Sequence, residues 1–100
     1  MVWDLDSDLK FTQDELNFNL QQYSADGDVQ MVKAFLADGA DIHSNDDLAL
    51  RFASELGRTE VVEILVKAGA NVHANGGEPL RDATDNGHEE VVRILKNAGA

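Results

Sequence analysis

Four carboxylates near the amino terminus have the spacing of a calcium-binding loop. Asp4, Asp6, Asp8 and Glu15 match the first, third, fifth and twelfth positions of an EF-hand loop. Leu9 stands where such a loop needs a glycine for its sharp turn, and too few residues precede Asp4 to form an entering helix. The ligand types suit calcium, but the rest of the pattern disfavours it, so we predict no calcium site.

The three histidines are the next candidates for a metal site. His43 and His73 lie thirty residues apart, at matching positions of an internal repeat, and stacked helices are separated by about 8–10 Å. Two such residues make a poor metal site, and we expect His88 to have a structural role as well. The sequence therefore predicts neither a metal ion nor a cofactor.

Nucleophilic catalysis lacks its usual partners in this sequence. There is no cysteine, and Ser24, Ser44 and Ser54 have no neighbouring pattern of a base and an orienting acid. The glycine-rich segment 75–77 lacks the Lys and Ser/Thr that follow in a phosphate-binding loop. We therefore predict no catalytic residues and expect that the chain is not an enzyme.

Charge and composition restrict the class of partner. The 100-residue chain has 19 acidic residues against 8 Lys plus Arg, and its formal net charge is -11. This charge opposes direct binding to nucleic acid and favours encounter with a basic protein surface. No run approaches the roughly 18 apolar residues of a membrane span, and no signal peptide is evident. We expect one folded, monomeric, cytoplasmic domain without membrane contact.

Glycine and apolar residues recur with a period of thirty residues. The glycines form two series: Gly27, Gly57 and Gly87, and Gly39, Gly69 and Gly99. Apolar residues between them have helical spacing, so each copy predicts two short helices. Each helix is expected to end at a glycine, because left-handed backbone is easiest for glycine. The second helices are predicted near 29–38, 59–68 and 89–98.

Residues 57–73 and 87–95 resemble the second helix of an ankyrin repeat and the turn that follows it. Residues 78–83 resemble the family's Thr-Pro-Leu-His-x-Ala motif, with glutamate for threonine and arginine for histidine. The resemblance to the ankyrin repeat family covers residues 15–100. It implies an all-α solenoid of three helix-turn-helix repeats, at 15–44, 45–74 and 75–100. The thirty-residue period, against the usual value of about 33, implies short finger turns, as in similar viral and phage repeats.

Two features are expected to close the ends of this solenoid. The third copy is polar where the second is apolar, which is typical of a terminal repeat; Asp82, Asn86 and Lys96 replace Phe52, Leu56 and Val66. Residues 1–14 form an arm with alternating apolar residues, and a capping box at 12–15 starts the first helix near residue 13. The arm either covers the first repeat as a cap or presents Trp3 to a partner.

The resemblance implies a protein-interaction module that binds another protein through its concave face, with regulation of that protein as a second implied role. The partner is expected to have a basic surface, and the candidate contact residues are Trp3, Asp26, Asn45, Asp46, Asp47, Glu55, Asn75, Glu78 and Asp85. One alternative is an inhibitor that mimics nucleic acid, such as a phage anti-defence or anti-CRISPR protein. Another is a scaffold without a partner, whose acids serve only solubility.

Overall fold

The computed structural model describes residues 11–100, and this part of the chain forms three antiparallel helix pairs without a β-strand. The helices are α1 (Gln13–Asp26), α2 (Val29–Ala37), α3 (Ser44–Glu55), α4 (Thr59–Lys67), α5 (Ala74–Asp85) and α6 (Glu89–Asn97). The all-α repeat architecture is therefore confirmed, with each second helix within a residue of its predicted bounds. None of these helices is long and apolar enough to cross a lipid bilayer.

The predicted capping box begins α1. The Thr12 hydroxyl accepts a hydrogen bond from the Glu15 backbone N–H at 3.2 Å, and the Glu15 carboxylate accepts one from the Thr12 N–H at 2.8 Å. Two of the otherwise unpaired N–H groups at this helix end are thus satisfied. Glu15, the last candidate calcium ligand, therefore serves the helix. Asp4, Asp6 and Asp8 lie outside the described residues.

Short turns with left-handed backbone lead into α3 and α5. Asn45, Asp46 and Asp47 have φ values of 56°, 56° and 55°. The matching residues before α5 are Asn75, Gly76 and Gly77, with φ values of 50°, 68° and 85°. Asn and Asp tolerate this conformation better than other non-glycine residues, so three in succession can form the turn. These are the short finger turns of the repeats.

One hydrophobic core runs through all three repeats. The first helices α1, α3 and α5 pack closely against one another and form an inner layer, whereas the second helices form an outer layer with fewer mutual contacts. Leucines and valines from both layers fill the space between them. The largest fully buried apolar side chains are Leu20, Leu50, Leu65, Leu95, Val32, Val61, Val62 and Val91.

Candidate functional site

The inner layer presents a continuous surface, here called the inner face, on α1, α3 and α5. Between α3 and α5 it forms a small pocket of about 50 Å³, lined by Leu48, Arg51, Phe52, Glu55, Glu78 and Asp82. A wider depression of about 330 Å³ lies at the first repeat and includes Phe18 and Asn45. Helix-borne side chains and finger-turn residues therefore line the same face, as the resemblance to ankyrin repeats implied.

Each inner helix ends in an acidic residue, at Asp26, Glu55 and Asp85, and none has a basic residue in its last turn. The outer helices α4 and α6 instead carry Lys67 and Lys96 there. A helix dipole is negative at its carboxyl end, where an acid is unfavourable by about 0.3–1 kcal/mol. Because all three acids are exposed, the inner face concentrates negative charge at the helix ends least suited to it.

Apolar side chains share the inner face with these acids. Phe18 is 59% exposed and Leu56 is 44% exposed, and Leu48 and Phe52 are half-buried. In the third repeat the positions of these residues hold acids or amides, including Asp82 and Asn86 in place of Phe52 and Leu56. The inner face is therefore mixed: the first two repeats contribute apolar surface, and the third contributes mostly charge.

Asp47 does not belong to the exposed acidic surface. Its side chain is buried, with a relative exposure of 3% for the residue, because the left-handed turn directs it inward. The carboxylate accepts hydrogen bonds from the Asn71 backbone N–H at 2.8 Å and from His43 Nδ1 at 3.0 Å. Asn17, thirty residues earlier, accepts from the Asp41 N–H at 2.7 Å. The partner contact at Asp47 stays a prediction, but its carboxylate is buried and holds the segment that leads into the third repeat.

Glu78 also has an internal role. Its carboxylate accepts hydrogen bonds from Arg51 Nη1 and from the Asn75 side-chain amide, both at 2.8 Å. These two bonds, with Asn75 the larger cause, hold the pKa of Glu78 below its ordinary value. Glu78 and Asn75 are thus engaged at the junction of the second and third repeats. They line the inner face, but their polar groups are already paired.

Asp82, one helical turn beyond Glu78, lies in the opposite electrostatic situation. Burial raises its pKa above the ordinary value, and the neighbouring charge of Glu78 raises it further. The sequence interpretation treated Asp82 only as part of a polar cap and missed its place in the inner-face pocket. The third repeat therefore has a local excess of negative charge, which a cation from a partner would relieve.

The remaining predicted contact residues lie at the surface. Asp26, Asp46, Glu55 and Asp85 are exposed, and Asn45 is exposed while its amide lies 3.3 Å from Gln21 Oε1. Trp3 lies outside the described residues. The four exposed acids and the inner-face apolar side chains therefore make up the candidate contact surface.

The histidines and serines considered for metal binding or catalysis either make structural contacts or lie apart from one another. His88 Nε2 donates to the Glu55 carbonyl oxygen at 2.9 Å, and His43 contacts Asp47. Residues 11–100 contain no group of three or more His, Cys, Asp or Glu side chains that could hold a metal ion. Ser24 and Ser54 are fully buried. No arrangement of a nucleophile with a base emerges among the described residues.

A family model described as ankyrin repeats, three copies, matches residues 20–100. The chain belongs to the ankyrin repeat family. A comparison with curated proteins gave no match. Ankyrin repeats are protein–protein interaction modules, and the family is typically without enzymatic activity. The inner face of this ankyrin domain, formed by the first helices and the finger turns, is accordingly the candidate surface for a protein partner.

Proposed function

We propose that this ankyrin domain binds a protein partner with a basic surface through its inner face. The supporting observation is the position of Asp26, Glu55 and Asp85 at the carboxyl ends of the three inner helices. Folding alone would favour basic residues there, as two of the outer helices have. Departures from such local rules are expected at functional sites, where stability is sacrificed for binding.

Neighbouring repeats offset this charge unequally. Arg58 of the second repeat donates through Nε to the Ala25 carbonyl oxygen near the end of α1, at 2.7 Å. Among the described residues no further repeat follows the third one to offset the charge at the end of α5. Asp82 adds its own negative charge near Asp85. A basic partner would therefore gain most at the third repeat, where negative charge is least offset within the domain.

The apolar part of the inner face supplies the second element of binding. Phe18, Phe52 and Leu56 expose aromatic and aliphatic surface that neighbouring repeats leave partly uncovered. Apolar and aromatic contacts contribute most of the affinity at protein interfaces, whereas exposed charges mainly raise the association rate. The proposed partner surface therefore combines basic residues with an apolar patch. The partner's apolar patch would lie on the first two repeats.

A pair of charge-reversal variants tests this proposal. The inner variant carries Asp26→Lys, Glu55→Lys and Asp85→Lys; the matched outer variant carries Asp38→Lys, Glu60→Lys and Glu63→Lys, which change the net charge equally. Each serves as bait for proteins of the native host, compared by quantitative mass spectrometry, and association rates are then measured with the purified partner. We expect the inner variant to associate at least about tenfold more slowly and the outer variant to remain close to the parent.

Stability and salt dependence provide the controls. Both variants should unfold within about 1 kcal/mol of the parent, because five of the six acids are exposed and Glu63 is half-buried without an ion pair among the described residues, and such acids contribute little to folding. Binding to the parent should weaken as salt increases. Equal loss of binding in the two variants would contradict a role for the inner face. Competition between the domain and nucleic acid for the partner would favour inhibition by nucleic-acid mimicry over simple docking.

A further inference from the structure

The junction between the first two repeats shows how this domain holds an arginine side chain. Arg58 extends from the start of α4 over Gly27 and donates to the Ala25 carbonyl oxygen at 2.7 Å. A Cβ atom added at Gly27 would lie 2.9 Å from Arg58 Cδ and 3.4 Å from Nε. The absence of a side chain at Gly27 therefore makes room for the arginine.

The next junction repeats this arrangement with a histidine. His88 lies over Gly57 and donates through Nε2 to the Glu55 carbonyl oxygen at 2.9 Å. A Cβ atom at Gly57 would lie only 2.6 Å from His88 Nδ1. Both junctions thus consist of a left-handed glycine, the carbonyl two residues before it, and a nitrogen-bearing side chain from the following repeat.

The third repeat contains the receiving half of the same arrangement. Gly87 has φ 75°, close to the 78° of Gly27 and the 72° of Gly57, and Asp85 supplies the equivalent carbonyl. No described atom lies within 4 Å of a Cβ atom built at Gly87. The position opens into a pocket of about 290 Å³ lined by Ala83, Thr84, Gly87, His88, Glu89 and Val92.

The lining of this pocket suits an arginine in particular. Ala83 and Val92 in the lining suit the methylene stem of an arginine, and Glu89 carries a carboxylate that suits the guanidinium donors. The Asp85 carbonyl corresponds in position to the Ala25 carbonyl that accepts from Arg58. A cation here would also offset the acid that ends α5 and the negative end of the helix dipole. Lysine would place one compact, strongly hydrated charge in the same space and could not match the donor geometry of Arg58.

A second copy of this chain could not fill the pocket in the same way. The residue of the first repeat that corresponds to Arg58 and His88 is Asp28. Its carboxylate accepts a hydrogen bond from the Met31 N–H at 3.1 Å and caps α2. Stacking the first repeat of one copy on the third repeat of another would place an anion against the Asp85 carbonyl.

We propose that the pocket at Gly87 receives an arginine side chain of the protein partner, in the way that Gly27 receives Arg58. This inference rests on the proposed function, because it assumes a basic partner, and it adds a specific anchor at the third repeat. Arginine is among the residues most enriched in binding hot spots. The inner face would then steer the partner, and this pocket would fix its register.

The test uses the intact ¹⁵N-labelled chain titrated with N-acetylarginine amide, and with N-acetyllysine amide as the comparison. We expect saturable amide shift changes at Gly87, His88 and Glu89 with the arginine probe, and at least about fivefold weaker binding of the lysine probe. Salt concentration and pH are kept equal in both titrations. The isolated amino-acid probes are expected to bind weakly, so titration extends to high millimolar concentration.

Two alanine variants identify the pocket. Gly87→Ala places a methyl group in the position that, at the first junction, would lie only 2.9 Å from Arg58 Cδ, and we expect at least about tenfold weaker binding of the arginine probe. Gly69→Ala is the matched control, because Gly69 follows an outer helix, has φ 100° and has no atom within 4 Å of an added Cβ. Both substitutions strain a left-handed residue, and thermal unfolding checks that both variants fold; the control should bind within about twofold of the parent.

Several outcomes would overturn the inference. The inference fails if the arginine probe induces no amide shifts, or if its shifts match those of the lysine probe. It also fails if the arginine-induced shifts spread over the inner-face acids or persist unchanged in Gly87→Ala. If these occur while partner capture still depends on inner-face charge, the pocket alone is contradicted. If the arginine probe binds at Gly87 but capture ignores the inner-face reversal, the proposed function is contradicted instead.

Discussion

The second and third repeats adopt the same finger turn with different residues, and the difference shows what the buried side chain of the turn contributes. Asn45, Asp46 and Asp47 are all L-residues in left-handed backbone, whereas two of the three equivalent positions in the third repeat are glycine. The left-handed conformation costs an L-residue about 1–2 kcal/mol. The second repeat therefore has strain that the third largely avoids.

Hydrogen bonds within the second repeat offset this strain. Arg51 donates to the Asn45 and Asp46 carbonyl oxygens at 2.9 and 3.0 Å, and the Asp47 carboxylate accepts from the Asn71 N–H, in the segment that leads into the third repeat. In the third repeat Arg81 makes a longer 3.3 Å bond to the Gly76 carbonyl, and Gly77 has no side chain. The strained aspartate is thus present where its carboxylate holds the segment before the next repeat.

The largest expected effect concerns the core that both repeats share. Leu65 and Leu95 are fully buried at equivalent positions, and Leu65→Ala should lower the free energy of unfolding by about 2–5 kcal/mol. Leu95→Ala should cost less in this chain, because the described residues pack against only one side of the third repeat, which can relax around the cavity. Urea denaturation followed by circular dichroism measures both. Unfolding of Leu65→Ala that matches the parent would contradict the core assignment.

The next effect concerns the buried carboxylate of the strained turn. Asp47→Ala leaves the Asn71 N–H without its acceptor and adds some left-handed strain, because alanine tolerates φ near 55° less well than aspartate, so we expect a loss of at least about 1–3 kcal/mol. Asp47→Asn keeps an acceptor oxygen, as Asn17 does in the first repeat, and should cost less than half as much. Denaturation at pH 7 compares the two variants. Equal stabilities would show that the hydrogen bond to Asn71 does not carry the effect.

Local signals in the sequence predicted most of the fold. The glycine period and the capping box at Thr12 fix helix ends, because each acts through a few neighbouring residues. The inward position of Asp47 was not predicted, because an aspartate in a turn is usually exposed and only the repeat geometry turns it inward. A signal was nonetheless present: polar residues recur at Asn17 and Asp47, and glycine replaces them at Gly77.

The inner face was predicted less completely than the fold. Matching the chain to the family's variable positions identified the acids, but the contribution of Phe18 was missed. Exposure of an aromatic residue depends on whether the neighbouring repeat covers it, and sequence periodicity does not show this. The engagement of Glu78 with Arg51 likewise depends on a contact between residues 27 positions apart, which no local pattern indicates.

A smaller expected effect is that stability depends on pH in opposite ways at Glu78 and Asp82, two acids of the third repeat. Hydrogen bonds from Asn75 and Arg51 lower the pKa of Glu78, so its contribution to stability is present near neutral pH and is lost as the pH falls through the lowered pKa. Glu78→Gln should therefore destabilise by about 1 kcal/mol at pH 7, and the difference from the parent should vanish in acid.

Asp82 should respond with the opposite sign. Burial and the charge of Glu78 raise its pKa, so the stability linked to its protonated form is lost as the pH rises through that pKa. Asp82→Asn should therefore stabilise the domain at pH 7, with a gain that shrinks on acidification. Thermal unfolding from pH 3 to pH 8 measures both variants. Parallel pH profiles for the two would refute the assigned environments.

The smallest expected effect concerns the hydroxyl groups at equivalent positions of the inner helices. Ser54 is fully buried between repeats, and its hydroxyl has no hydrogen-bond partner among the described residues. Thr84, its counterpart in the third repeat, is exposed and donates to the Leu80 carbonyl oxygen at 2.7 Å. A buried unpaired hydroxyl is unfavourable, and alanine is also the better helix former.

Ser54→Ala should therefore raise the free energy of unfolding by about 0.5–1.5 kcal/mol. Thr84→Ala should change it by no more than about 0.5 kcal/mol, because solvent replaces the lost bond at an exposed site. Paired urea denaturation curves measure the difference between the middle and terminal repeats. Destabilisation by Ser54→Ala would mean that its hydroxyl has a partner in solution, such as a buried water, and that the middle repeat is not frustrated at this position.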